Sequence, residues 1–396
     1  MLLFNPKSVI KHIFLPLYLI MSLTSSAQTK EQLPLIKSIE RYCVDSLQPK
    51  GALVSIDYKM KRWNEAYNET GWILDEDKEH LIVLTLKGYR SSILKKYLVK
   101  RTVLKSDFEI IGKLTSDRFG RSDWNHAAKN YYLALWAYKS KKHRLAEKAL
   151  SILNISDQTN DAVKTLFGHL YFNRMLEAYS HARDYREVIY YGMYLAQPQF
   201  EGFEYRSQAI ALANQLKGRP DDFKTFCLPD SAAWEQLKIT MNRKEQLNYL
   251  LDRLHLLNCI QNGQPAFIDY SDDQSSISQD SFRILFDQPW QRRREYKVIN
   301  PYTEILQMKL APAEVEIIVP CIADTSFIPT YSYFRDFRTQ RHLETYQEVI
   351  ENILFKITNK RMYEYRPDGL PQKIVQNRID SFMTWCKKNE GLTNYK

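Results

Sequence analysis

Apolar positions recur along most of this chain at helical spacing. Tyr346, Val349, Ile350, Ile353, Leu354 and Ile357 fall at i, i+3, i+4, i+7, i+8 and i+11, the stripe that one face of an α-helix turns toward a core. Leu247, Leu250, Leu251, Leu254 and Leu257 make a second stripe, and Val163, Leu166, Phe167, Leu170 and Tyr171 a third. Ala146, Ala149, Leu150 and Leu153 make another, and Tyr185, Val188, Ile189 and Gly192 continue the series. Period-two alternation is scarce, with Leu53 to Tyr58 its best short run. The pattern predicts an all-α fold.

The helices are expected in pairs. Ser122-Asp123 offers short side-chain oxygens to the free amides of a first turn, so a helix should run from there through Tyr138. A basic turn, Lys139 to Arg144, leads to a second helix through Leu153. About 40 residues on, the arrangement returns as a helix through Ala178-Tyr179, a turn at Ser180 to Asp184 and a helix from Tyr185. Such a period predicts stacked helical hairpins, either an α-solenoid or a compact α/α array. The apolar run Leu81 to Leu86 reads as a further helix. The acidic stretch Asp75 to Glu79 would then sit at its N-terminus, where the backbone dipole favours carboxylates.

Two segments carry a resemblance to repeat families. Asp184-Tyr185-Arg186-Glu187-Val188-Ile189-Tyr190-Tyr191 resembles the second helix of a tetratricopeptide repeat. The stretch Ala313 to Ile357 is similar to a HEAT repeat. Val319-Pro320-Cys321-Ile322 and Asp324 stand at its first helix and turn, and Arg341 with the Val349 to Ile357 stripe stands at its second. An insertion separates the two helices. The resemblance implies architecture and a binding role rather than an activity, and toroidal α/α enzymes share it at this level.

Punctuation divides the chain. Gly218-Arg219-Pro220-Asp221 and Pro229-Asp230-Ser231 break the middle, and the longest interruption runs from Asn262 through Pro289. The expected organisation is a leader at 1–27, a helical-repeat array at 28–260, a long polar loop at 261–292 and a HEAT-like helical unit at 293–396. In the leader, Lys7, Lys11 and His12 precede an apolar run from Ile13 to Leu23, and Ser25-Ser26-Ala27 offers a cleavage site before Gln28. That is the pattern of a secretory signal peptide, too short for a comfortable membrane span, with an uncleaved anchor as the alternative. A secreted or periplasmic protein with no later membrane span is expected.

Export changes the meaning of the charge. With 56 Lys+Arg against 46 Asp+Glu the net charge is +10, yet nucleic acid is not an expected partner outside the cytoplasm. A protein or an anionic envelope polymer is. Only 12 glycines stand beside 26 tyrosines, which argues against Gly-rich nucleotide loops and β-sandwich turns. Cys43, Cys227, Cys259, Cys321 and Cys386 form no CxxC pair. Cys259 and Cys321 sit among apolar neighbours as core residues, so disulfides are permitted but not indicated.

Catalytic signatures (GxSxG, HExxH, Walker A, GxGxxG) are absent from the sequence, so no cofactor, metal or catalytic residue is assigned. His169 lies beside an apolar stripe and reads as a core histidine. Asp269, Ser271, Asp273, Ser275 and Asp280 occupy a calcium-loop frame, but Gln274 replaces the needed glycine and Asp280 the final glutamate. Two segments are the candidate binding residues. The first is Gln261 to Tyr270, where Gln261, Gln264, Asp269 and Tyr270 gather amides, a carboxylate and an aromatic on a Gly/Pro-shaped loop. The second is the insert Tyr331 to Arg341. Its Tyr331, Tyr333, Phe334, Arg335, Asp336, Arg338 and Arg341 interleave cations and rings able to grip carboxylates and stack on sugar or peptide faces. The bland alternative for each is a loop anchored by aromatics and internal Arg–carboxylate pairs.

The expected function is an exported binding or scaffold protein of the bacterial envelope. The alternative is an α/α-toroid hydrolase of envelope or extracellular polysaccharide, needing two carboxylates about 5 to 10 Å apart. Asp269 and Asp336 are the pair it would use.

Overall fold

The alternation at Leu53 to Tyr58 is realised as a strand, and that strand seeds a sheet which the helical pattern conceals. The computed structural model describes residues 33–43, 48–59, 66–86, 90–107, 109–111, 123–182, 185–217, 228–257, 259–261, 268–273, 299–333, 341–360 and 371–390. The chain divides into two compact units, Met1–Leu170 and Tyr171–Lys396. The proposed leader, 1–27, lies outside the described residues.

In the first unit, a helix α1 (33–42) precedes β1 (Leu53–Lys59), β2 (Ala66–Glu76), β3 (His80–Thr85), β4 (Arg90–Leu94) and β5 (Leu98–Val103). All pairings are antiparallel, in the order β4-β3-β2-β1-β5. Only the 3-10 turn Lys95–Tyr97 joins β4 to β5, although they form opposite edges. A flat sheet of this size would hold its edges roughly 19 Å apart. The link from Leu94 to Leu98 can span at most about 14 Å. The sheet must therefore curl into an open, barrel-like shape whose edges, β4 and β5, approach each other without being neighbours in the strand order. The bulge between Ile73 and Asp75 bends β2 in that direction.

The register explains what fills the barrel. Val54, Ile56, Leu81, Val83 and Ile93 share one face and form a buried cluster with Tyr58, Ile73 and Leu98 against it. The opposite face carries Leu53, Trp72 and Leu84, partners across three strands and also buried. The two tryptophan rings, Trp72 and Trp136, lie 6.0 Å apart. Trp136 Nε1 donates to the Gly51 carbonyl at 2.8 Å.

Glu76 closes the curl. The register puts Arg101 opposite Ile56, and Ile56 opposite Glu69, seven positions before Glu76 on the same strand. Arg101 Nη1 nevertheless meets Glu76 Oε2 at 3.0 Å, and Lys95 Nζ meets Oε1 at 2.8 Å. The hydrogen bonds from Lys95 and then Arg101 hold the Glu76 carboxyl below its ordinary value. A depressed carboxylate stabilises the fold above the unfolded pKa and ceases to do so as pH falls through the folded one. Glu76→Gln should thus be less stable than the parent at neutral pH. The difference should begin to shrink at about pH 4 and vanish once pH falls below the depressed folded value; urea midpoints measured across pH would show it, and a pH-independent difference would refute the assignment.

The acidic stretch Asp75 to Glu79 is a hairpin turn, not a helix start. Asp77 Oδ1 accepts from the Glu79 and His80 amides at 2.7 and 2.6 Å. The run after it, expected as a helix, is β3. A short apolar run does not distinguish helix from strand by periodicity, and its Ile82, Val83 and Thr85 are β-branched. The all-α expectation is overturned by this sheet and by two smaller ones below.

Helices do fall where periodicity placed them. α2 (Asp123–Lys139) and α3 (His143–Ser151) form a hairpin. Their turn has Lys141 in the left-handed region (φ 60) and a Lys142 N–H to Ala137 carbonyl bond of 2.8 Å, a Schellman closure. α4 (Asn160–Glu177) continues into a π turn, Ala178–Ala182. The division between the two units falls within α4. His169 is buried, 3% exposed, as expected of a core histidine.

The second unit contains α5 (Tyr185–Leu195), α6 (Arg206–Leu216), α7 (Ser231–Thr240) and α8 (Arg243–Leu254). Next come β6 (Cys259–Gln261), β7 (Ile268–Asp273), α9 (Pro301–Gln307) and α10 (Pro312–Ile318). β8 (Phe327–Tyr333), β9 (Arg341–Thr345), α11 (Tyr346–Thr358) and α12 (Gln372–Lys388) complete it. The stripes on α8 and α11 are core: Leu247, Leu250, Leu251, Leu254, Val349, Ile350, Ile353 and Leu354 pack with Ile305, Val315, Ile318 and Phe382. Capping boxes at Asn242/Glu245 and Thr345/Glu348 start both helices.

The inserted segment between the HEAT-like helices is here a β-hairpin, β8–β9, and the loop expected at 261–292 contains β7. Aromatic and β-branched residues in Phe327–Tyr333 favour the extended state over a loop. Asp269, Ser271 and Asp273 of the calcium-loop frame fall in strand β7, and its Ser275 and Asp280 lie outside the described residues. Cys43, Cys259, Cys321 and Cys386 are not joined in disulfides; Cys227 lies outside the described residues.

Candidate functional site

The two segments nominated from sequence are separated by dozens of residues, yet the second unit sets them side by side. β6 pairs with β7 and β8 with β9, both antiparallel. Thr330 of β8 links the two hairpins: its Oγ1 donates to the Leu257 carbonyl and accepts from the Cys259 amide, both at 2.9 Å. Thr330 is fully buried, so each bond replaces a lost bond to water.

A second link runs from β7 to β9. Tyr270 donates from its hydroxyl to Glu344 Oε2 at 2.9 Å. Both residues are buried, 7% and 6% exposed. Burial, and then the Glu344 charge, push the Tyr270 phenol well above its ordinary pKa, so it remains a donor. Its carbonyl accepts from Asn300 Nδ2 at 2.8 Å, and its ring lies 5.5 Å from Tyr302. Tyr270 therefore pins the platform from within rather than presenting a ring to solvent.

The remaining candidates divide by position. Gln261 ends β6, Asp269 lies in β7, Tyr331 and Tyr333 in β8, and Arg341 opens β9. Tyr331 is half-buried. Tyr333 pairs with Arg341 across the hairpin, and Tyr331 with Leu343. Gln264, Phe334, Arg335, Asp336 and Arg338 lie outside the described residues, and with Asp336 goes the carboxylate pair of the hydrolase reading.

The root of β8 is held firmly. Gln215 of α6 donates to the Phe327 carbonyl at 2.9 Å and accepts from its amide at 2.8 Å, as a neighbouring strand would. Tyr179 donates to the same carbonyl at 2.7 Å. Beside this root is a cluster the sequence did not suggest. His255, at the C-cap of α8, stacks on Tyr346 with ring centroids 4.1 Å apart. Its Nδ1 lies 3.3 Å from Ser326 Oγ and its Nε2 3.4 Å from Asp324 Oδ2. Asp324 Oδ1 accepts the Ser326 amide at 2.8 Å. No local spacing joins His255 to Ser326, which stand 71 positions apart. The short Asp324-Thr325-Ser326 turn was the one available cue.

Near this cluster, burial raises the Cys321 thiol, and burial with Cys321 beside it raises the Tyr346 phenol. Among the described residues no group of three or more His, Cys, Asp or Glu could hold a metal ion. No described helix is long and apolar enough to cross a membrane. No protein-family model, curated protein or solved structure matches the chain.

Proposed function

We propose that the protein is an exported binding protein that recognises an anionic polymer or an acidic protein surface through the paired hairpins β6–β7 and β8–β9. What supports the reading is their juxtaposition. The strand pairs that carry the two segments picked for ligand-binding composition share one buried bridge, Thr330, and one buried hydrogen bond, Tyr270 to Glu344. Buried links of this kind fix the strands on which the two segments are carried, which lowers the ordering cost of binding. The insert supplies Arg335, Arg338 and Arg341 with Tyr331, Tyr333 and Phe334, which suits carboxylates flanked by flat faces.

The test uses immobilised polygalacturonate, an anionic sugar polymer, and a column of envelope proteins from the source cells. The parent protein is expected to bind one of them in a salt-dependent way. Replacing Arg335, Arg338 and Arg341 together by Ala should weaken that binding at least tenfold. Equal retention of parent and triple variant, or retention of neither, would sink the reading.

A further inference from the structure

Ser326, His255 and Asp324 are arranged as a nucleophile, its base and the group that orients the base. Asp324 Oδ2 stands 3.4 Å from His255 Nε2, an ion-pair distance at which the carboxylate favours the tautomer with its proton there. Nδ1 is then the lone-pair nitrogen, and it lies 3.3 Å from the Ser326 hydroxyl, within the looser range of an unliganded site. The roles of the two ring nitrogens are interchanged relative to the familiar serine-protease arrangement, but the chemical requirement is the same.

Each member is fixed by contacts of its own. The Tyr346 ring covers one face of the imidazole, and the Tyr346 hydroxyl is anchored on the Leu251 carbonyl at 3.1 Å. The Asp324 carboxylate is held by the Ser326 amide, and Ser326 in turn accepts the Tyr346 amide on its carbonyl at 2.8 Å. The next residue, Phe327, is clamped by Gln215 and Tyr179. The cluster remains accessible: the His255 side chain is 30% exposed and that of Asp324 40%. A histidine serving only to join α8 to this turn needs one acceptor. Here both ring nitrogens meet functional groups of one turn, and one of those groups is a hydroxyl.

We propose that Ser326 is a nucleophile activated by His255, with Asp324 positioning the histidine, and that the site accepts acyl groups from carboxylic esters. In the first step Ser326 Oγ bonds to the acyl carbon while its proton passes to His255 Nδ1. The bond to the alcohol oxygen breaks, and the alcohol leaves with that proton. Water then attacks the acyl carbon, giving a proton to the same nitrogen; the acyl–Oγ bond breaks, Oγ takes that proton back, and the acid leaves. The cluster is at the root of β8, roughly 20 Å along the strand from Tyr333 at its other end, so this activity stands apart from the binding reading.

The probe is a fluorophosphonate, which such a serine attacks at phosphorus with loss of fluoride. Native protein from the full chain should gain one adduct, on Ser326 by peptide mass spectrometry. Protein unfolded in urea should gain none. His255→Gln should label at least a hundredfold more slowly, and Asp324→Asn should be slowed less, since it removes only the orienting charge. The native rate should follow a single titration with pH that the His255→Gln protein lacks. Absence of an adduct on the native parent, an adduct on another residue, or equal labelling of native and unfolded protein would each overturn the proposal.

Discussion

Arg378→Leu should lower the stability of the protein by about 3–5 kcal/mol, the cost of leaving a buried charge without its partner. Arg378 on α12 is 7% exposed at its side chain and Glu351 on α11 is 12% exposed. Arg378 Nη1 reaches both carboxylate oxygens of Glu351, at 2.5 and 2.6 Å, and Gln347 adds a third donor at 3.1 Å. Even so, burial raises the Glu351 carboxyl above its ordinary value, outweighing the pull of Arg378. A raised acid is favoured in its protonated form by the folded state. Its contribution is therefore fullest below the unfolded pKa and is lost as pH rises through the folded one. In Arg378→Leu the carboxylate loses its counter-charge, so the deficit should grow as pH rises from about 4.5 upward. The double variant Glu351→Leu with Arg378→Leu should recover most of the loss, because two apolar side chains replace the pair without a stranded charge. Urea unfolding of all three proteins at pH 4 and pH 7 decides it. A single variant as stable as the parent at pH 7 would show that the pair contributes nothing.

The helices were legible because their information is local. On α8 and α11 the core stripes recur every three or four residues, and those positions are buried. The capping boxes at Asn242 and Thr345 can be read from the sequence for the same reason. The barrel was not, because its information is distributed. Leu81 to Leu86 has no helical or strand period of its own, and the ion pairs at Glu76 join residues 19 and 25 positions away. The site divides the same way. Composition singled out the hairpin segments, but Thr330, Glu344, Ser326 and His255 act only through partners brought by the fold. Apart from the short Asp324-Thr325-Ser326 turn, nothing in their neighbourhoods marks them.

Glycine scarcity counted against a sheet, and the position where the sheet does use one gives the last large effect. Gly71 is in the middle of β2, opposite Thr85 on β3 and Val54 on β1. A Cβ there would fall 2.1 Å from the Leu84 carbonyl oxygen and 2.9 Å from both the Leu84 carbonyl carbon and Thr85 Cα. These are backbone atoms, so no rotamer change relieves the contact; β2 and β3 would have to part. Strand interiors ordinarily disfavour glycine, and Ala should gain somewhat in backbone entropy. The collision outweighs that gain, because it acts where the curl draws the strands together. Gly71→Ala is expected to cost about 3 kcal/mol, the upper end for added atoms in a packed interior. Of the described turns of this sheet, one relies on Asp77 and the other is the Lys95–Tyr97 turn, and neither uses glycine. Amide exchange at Leu86, whose N–H donates to the Thr70 carbonyl at 2.9 Å, reports the opening directly. Exchange there should accelerate at least a hundredfold in Gly71→Ala. Unchanged protection would mean that β2 and β3 do not approach this closely, and that the barrel is closed by its ion pairs alone.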